Sequence, residues 1–282
     1  HPSAGRVPTT LGYRIYVDNL MKRARLSRME KSAILDTIQR TSEEFDDVLK
    51  EVTRILAHLS RQLSVITSPR LTEAIFEKME IVHLTTNRIL VVLSVDSGFV
   101  KTITFEIDSS VSREKAQLIS QILNERLSGM RIGDIRSNFA HIVRDIQNEE
   151  TGLVRLFLRR ADRLFDFGEE MEVYVMGTHN ILEKPDFSTM ESVSAVVEVL
   201  ETPEVVLHIF NDDTPEESIS IKIGEEIGEQ RMRACSIIAA RYKVGTTAGL
   251  LGIIGPTRMN YSKLVSLVDF TAQTLSSIHG QN

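Results

Sequence analysis

The groups best able to do chemistry in this 282-residue chain are four clustered glycines, seven histidines, one cysteine and some loop carboxylates. VGTTAGLLGIIGPTR, residues 244–258, holds Gly245, Gly249, Gly252 and Gly255. A dinucleotide loop needs G-x-G-x-x-G and a P-loop needs a lysine after its last glycine; neither spacing occurs. Glycines inside an apolar strand mark a bulge or the close approach of another backbone. His1, His58, His83, His141, His179, His208 and His279 are scattered, with no metal-ligand spacing to each other or to Cys235. Cys235 lies in RACSIIAARY and reads as a buried, inert thiol. No G-x-S-x-G elbow is present. Asp212 and Asp213 sit in a turn, and Glu225, Glu226 and Glu229 lie among glycines; a catalytic pair there would need a partner that the sequence does not display. These residues predict a protein that is not an enzyme and holds no cofactor or metal.

The elements that carry these groups predict an α+β fold. Leu11 to Arg25 has helical spacing, and Ser27 with Glu30 forms an S-x-x-E capping box. Ile38, Phe45, Val52 and Leu59 recur every seven residues, with Leu49, Leu56 and Leu63 as a second row. Such a seam fits a helix packed on its own sheet or an intermolecular coiled coil. Residues 88–95 form an apolar, β-branched run, Asp96-Ser97-Gly98 supplies turn chemistry, and 99–107 has apolar residues at even spacing, a hairpin pattern. Residues 112–165 return to helical stripes, closed first by Gly129. A short strand at 171–176, a helix capped by Asp186 or by Ser188 with Glu191, and strands at 204–210, 218–223, 232–242 and 249–254 follow. Asn260 caps a last helix with Tyr261, Leu264, Val268 and Leu275 on its buried side. Hairpins dominate, so the sheet is mainly antiparallel.

Composition sets outer limits. Apolar residues at 42% can fill a core, while a single cysteine excludes an internal disulfide framework and fits a reducing cytosol. No apolar run reaches the ~20 residues of a membrane span, which predicts a cytoplasmic protein with no membrane partner. The net charge of −6 is unevenly spread. Residues 1–28 hold six cations against Asp18 alone, a balance of +5, which leaves −11 on the remainder. A basic leading end on an acidic body is either a phosphate-contacting segment or a solvated helix face.

Two long motifs carry a family resemblance. HPSAGRVPTTLGYRIYVDNL, residues 1–20, resembles the H-[TP]-S-A-G-R-[IV]-P-T…G-Y-R-x-Y-V-D segment of the HrcA family of bacterial heat-inducible transcription repressors. GIIGPTRMNYSKLVSLV, residues 252–268, resembles its G-x-I-G-P-[ST]-R-M-x-Y signature, and IGEE at 223–226 and HNILEKPDF at 179–187 match weaker landmarks. The resemblance implies an N-terminal winged helix-turn-helix, a GAF-like domain with a mainly antiparallel sheet and flanking helices, and an inserted dimerisation module. It implies the end of the wing and a linker helix at 1–26, the first GAF-like part at 27–107, the insertion at 108–180 and the second GAF-like part at 181–282. The reading helix falls before residue 1. On this resemblance the protein is a negative regulator of chaperone operons. It binds an inverted-repeat double-stranded DNA operator as a homodimer, with the GroE chaperonin maintaining the active repressor. Expected DNA-binding residues are His1, Ser3, Gly5, Arg6 and Arg14. Expected dimer residues are Leu153, Leu156, Phe157 and Leu164, whose stripes exceed one core's need. Gly252, Gly255, Pro256, Arg258, Met259 and Tyr261 form a structural signature. The alternative is a small-molecule-binding GAF-type sensor that does not itself bind DNA.

Overall fold

The computed structural model describes residues 8–40, 45–107, 111–168, 171–187, 190–211 and 219–277. The chain enters through helix α1, Thr10–Ile15, which Thr9 caps by accepting from Gly12 N at 3.3 Å. It continues as one π turn, Tyr16–Leu20. The helix expected to reach Arg25 stops here. Met21 turns extended, and the backbone of Ala24 bonds instead to Ser262 O and Ser266 Oγ. Ser27 and Glu30 then make both halves of the capping box, at 2.8 and 3.2 Å, and open α2, Arg28–Arg40. Helix α3 is Phe45–Ser60. Its seam residues Leu49, Val52 and Leu56 are buried in this same chain, against α2, the adjoining sheet and the C-terminal helix, so the heptad spacing records intramolecular packing. Arg61 at φ 51° breaks the helix, and Leu63 opens strand β1, Leu63–Thr67, rather than ending the helical row.

At Pro69 the chain leaves one compact unit and enters another, returning at Glu172. Strands β2, Phe76–Thr85, β3, Arg88–Val95, and β4, Val100–Glu106, form an antiparallel sheet with Met79 opposite Leu93 and Val91 opposite Ile103. Helices α4, Arg113–Leu127, α5, Ile132–Ile142, α6, Leu153–Arg159, and α7, Ala161–Leu164, cover its inner face. A boundary at 108 would divide this core. Ile89, Val91, Leu93 and Phe105 are buried together with Ile119, Leu123, Phe139 and Phe157, so the compact unit begins at Pro69. Strand β2, which no sequence pattern announces, has its free edge closed by helix α4. Met79 N donates to Asn124 Oδ1 at 2.7 Å, Asn124 Nδ2 donates to Met79 O at 2.9 Å, and Ile81 N donates to Ser120 Oγ at 2.9 Å. Side chains thus satisfy an edge that would otherwise invite another strand.

The first unit resumes with β5, Val173–Met176, α8, Thr178–Leu182, α9, Met190–Leu200, and α10, Pro203–Asn211. Residues 204–210 were expected to be a strand, because β-branched residues favour one. Burial of Val206, Ile209 and Phe210 instead follows the i, i+3, i+4 period of a helix, and Pro203 stands at its first position. Strands β6, Ser220–Ile223, β7, Cys235–Val244, and β8, Thr247–Pro256, lead to α11, Tyr261–Ser277, which Asn260 caps through Lys263 N at 3.2 Å. The five-stranded sheet runs β5-β1-β8-β7-β6, and β1 is antiparallel to both neighbours. This α+β arrangement, a mainly antiparallel sheet with flanking helices, is consistent with a GAF-like domain. Ser188 and the turn at Asp212 and Asp213 lie outside the described residues.

Removing the edge cap tests its weight. Asn124→Ala leaves the Met79 amide without its partner and is expected to destabilise the unit spanning 69–171 by about 1–3 kcal/mol. Chemical denaturation reads the loss, and hydrogen exchange should show the Met79 and Ile81 amides losing protection first.

Candidate functional site at the N-terminal helix

Arg14 organises a polar junction between α1 and the sheet. Its Nε donates to Glu226 Oε1 at 2.9 Å and its Nη2 to Glu226 Oε2, a two-pronged pairing suited to a guanidinium. Nη2 also donates to Ile221 O at 2.6 Å, and Nη1 to Asp18 Oδ1 at 3.1 Å, one helical turn on. Glu226 and Asp18 raise the arginine's pKa against the opposing effect of burial. Glu226 is itself fixed: its Oε2 accepts from Ile223 N at 2.9 Å, where the turn Gly224–Ile227 begins. Gly224 has φ +61°, where a side chain is strained, and a Cβ there would lie 3.2 Å from Thr10 Oγ1, so glycine suits the turn beneath α1. The Tyr13 ring lies 5.9 Å from that of buried Tyr261, whose hydroxyl pairs with Ser236 Oγ at 2.7 Å and donates to Thr257 O at 2.8 Å. Burial pushes the Tyr261 hydroxyl up to about 12, so it stays protonated and serves as a structural donor.

Residues 21–27 continue this junction along α11. Ala24 N donates to Ser262 O at 3.1 Å and Ser266 Oγ donates to Ala24 O at 2.8 Å. Arg23 pairs with Asp269 at 2.6 Å, and Lys263 with Glu30 at 2.6 Å. Lys263, with the Ser27 amide and hydroxyl, lowers the Glu30 carboxyl to about 2.

The motifs far apart in sequence therefore meet. GYRIYVD supplies Tyr13, Arg14 and Asp18, IGEE supplies Gly224 and Glu226, and the last signature supplies Tyr261. Nothing local in the sequence pairs Arg14 with Glu226, because 212 residues separate them. Within the signature, Gly252 and Gly255 are close-approach positions. A Cβ on Gly252 would collide with Ile238 O, and one on Gly255 would lie 2.5 Å from Gln62 Oε1. Pro256 is buried, Met259 is half-buried beside Gly255, and Arg258 is exposed.

The expected contact residues fall differently. His1, Ser3, Gly5 and Arg6 lie outside the described residues. Arg14 is turned onto the protein's own acceptors. Leu153, Phe157 and Leu164 are fully buried in the core of the unit spanning 69–171, with Leu156 packed against it, so their apolar surface is spent within one chain. Apart from Leu118 on α4, the large apolar side chains left exposed there lie on or near the outer face of the three-stranded sheet. Val82 and Val100 project from it, flanked by half-buried Leu90 and Val92, and Leu84 is exposed nearby. No sequence pattern marks 78–85 as a strand, and only the strand's alternation puts Val82 on that face.

Among the described residues, no three His, Cys, Asp or Glu side chains gather as a metal site. Cys235 is fully buried, and burial pushes its thiol up to about 12, away from the reactive thiolate. No helix among the described residues is long and apolar enough to cross a membrane.

Comparison with known proteins converges on one family. Residues 46–265 match the family described as the HrcA protein C-terminal domain. The chain is 37% identical over 292 residues to the heat-inducible transcription repressor HrcA of Chlorobium luteolum, covering 98% of this chain and 81% of that protein. It is 36% identical to the protein of the same name from Chlorobaculum tepidum, covering all of this chain and 83% of that one. A crystal structure of a hypothetical protein at 2.2 Å resolution superposes with a TM-score of 0.58 at 17% identity, over 98% of this chain and 80% of that one, and so shares the fold.

The Glu30 pairing carries a pH signature. Its folded pKa lies below the ordinary 4.5, so its contribution is complete above that value and is lost as pH falls toward about 2. Glu30→Gln should flatten the acid limb of thermal stability between pH 4.5 and 2 while leaving the shape of the curve above pH 5 unchanged. Melting midpoints across that range check it.

Proposed function

The chain belongs to the HrcA family, and we propose that it forms the body of a heat-inducible transcription repressor, a regulator rather than an enzyme. The observation that carries this reading is the junction at Arg14. Three sequence landmarks of the family, around Arg14, Glu226 and Tyr261, are far apart in the chain, yet they converge on fastening an N-terminal helix to a sheet. A protein whose most distinctive residues build a mount, and whose buried thiol and carboxylates serve packing and capping, fits a device that holds another part in place.

In the finer reading, the repressor acts on chaperone operons and binds an inverted repeat as a homodimer. A two-fold DNA site is matched by a two-fold protein. Base edges are read in the major groove by a recognition helix. No described element of this chain is mounted to do so; on the family resemblance, a winged helix-turn-helix supplies the reading head. The GroE chaperonin keeps the repressor in its active state; the family resemblance supports this part. Pairing of two copies is best placed on the outer sheet face around Val82 and Val100, since the helical stripes expected to supply it are occupied.

Two measurements test the reading. The 1–282 chain alone should bind duplex DNA weakly and without sequence preference, whereas the full-length protein should give an operator-specific mobility shift; a tight specific shift by the 1–282 chain would refute the division of labour. Light scattering at micromolar concentration should report a dimer that Val82→Asp with Val100→Asp converts to monomer. A wild-type monomer removes the dimer, and a double variant that stays dimeric removes this sheet face from the interface.

A further inference from the structure

Helix α1 is attached to the body in an unusual way. Neither it nor the π turn after it buries a single residue, and Leu11, Ile15 and Leu20 face solvent. Apolar burial, the main source of cohesion between elements, is thus almost absent from this contact. What holds the helix is the Arg14 side chain on Glu226 and Ile221 O, with Tyr13 against Tyr261 beside it. Residues 21–27 are held differently, through backbone hydrogen bonds along α11 and the Arg23–Asp269 pair. Between the two attachments lies the π turn Tyr16–Leu20, closed by Met21 N donating to Tyr16 O at 2.8 Å. Such a turn inserts one residue into the helical ladder and is common where a helix must bend in service of function.

We infer that Arg14 and Glu226 form a releasable latch that sets the direction in which the chain before Thr9 leaves the body, with the π turn as its pivot. Arg14 is on this view a positioning residue for DNA recognition, acting through Glu226, and not a phosphate contact. That functional half rests on the repressor reading above; the latch itself does not. Partly exposed ion pairs are weak and screened by salt, so a helix fastened mainly by one of them opens far more readily than the packed elements around it. On warming the mount opens before the packed elements, because only the Arg14 contacts and the Tyr13–Tyr261 pair resist the entropy gained on release.

Hydrogen exchange on the 1–282 chain tests the latch. Arg14→Ala and Glu226→Gln should each raise exchange of the amides at 15–20 by about tenfold or more. The Ala24 amide should remain protected and the melting point of the body nearly unchanged. Arg14→Lys, which keeps the charge and loses the fork, should fall between. Salt at 1 M, where the Debye length is about 3 Å, should speed exchange in the wild type and add little in Arg14→Ala. Arg14→Ala leaves Glu226 on the Ile223 amide, so it carries the test alone if Glu226→Gln disturbs the turn. Unchanged exchange at 15–20 in Arg14→Ala overturns the latch, and so does equal loosening of Ala24.

Operator binding by the full-length protein tests the positioning role. Both variants should weaken binding about tenfold. A direct phosphate contact predicts otherwise: Arg14→Ala weakens binding, while Glu226→Gln frees the arginine and leaves affinity equal or higher, and that outcome overturns the role. If the wild type itself shows no operator binding, the repressor reading fails while the exchange result still decides the latch.

Discussion

The molecule depends on the place where its chain departs and comes back. Ser68 N donates to Glu172 O at 2.8 Å, and Glu172 N donates to Ser68 Oγ at 2.8 Å. These two bonds extend the antiparallel pairing of β1 with β5, so the ends of the 69–171 unit are fixed one strand spacing apart. A long excursion costs little in closure entropy once its ends are so pinned. The first unit can therefore build a continuous sheet around an interruption, and the second can fill its own core. β1 is buried along its whole length.

Each unit solves its polar problems with side chains that a motif search could mistake for chemistry. Asp96 accepts from Ile75 N at 2.9 Å, holding the start of β2. Asn124 and Ser120 imitate a strand along β2, and Glu226 closes a turn while holding Arg14. Buried backbone groups need partners, and these polar side chains supply them. The contrast with α1 is physical. The interior elements are held by apolar area as well as hydrogen bonds, whereas α1 is held mainly by polar contacts and buries none of its residues fully.

Much was legible from sequence alone because it was local. The Ser27–Glu30 box, the hairpin at Asp96-Ser97-Gly98, the C-terminal helix capped by Asn260 and the stripes of α4 to α6 depend on residues within a few positions of each other. The two long motifs also sufficed to place the chain in its family. Close approach as the reason for the glycines of β8 followed from their apolar setting, and Gly252 against Ile238 O bears it out.

Tertiary structure alone decided what each pattern packs against. A stripe such as Leu153, Phe157 and Leu164 has the same period whether it meets its own sheet or a second molecule, and only the fold shows that the sheet already takes it. Val206, Ile209 and Phe210 form a helix despite β-branched neighbours, because their burial requires the helical period. The meeting of Arg14 with Glu226 follows from no local rule, since it arises when the chain order of the sheet brings β6 beneath α1. Sequence records periodicity and the types of charge; which charge faces which is a property of the assembled layers.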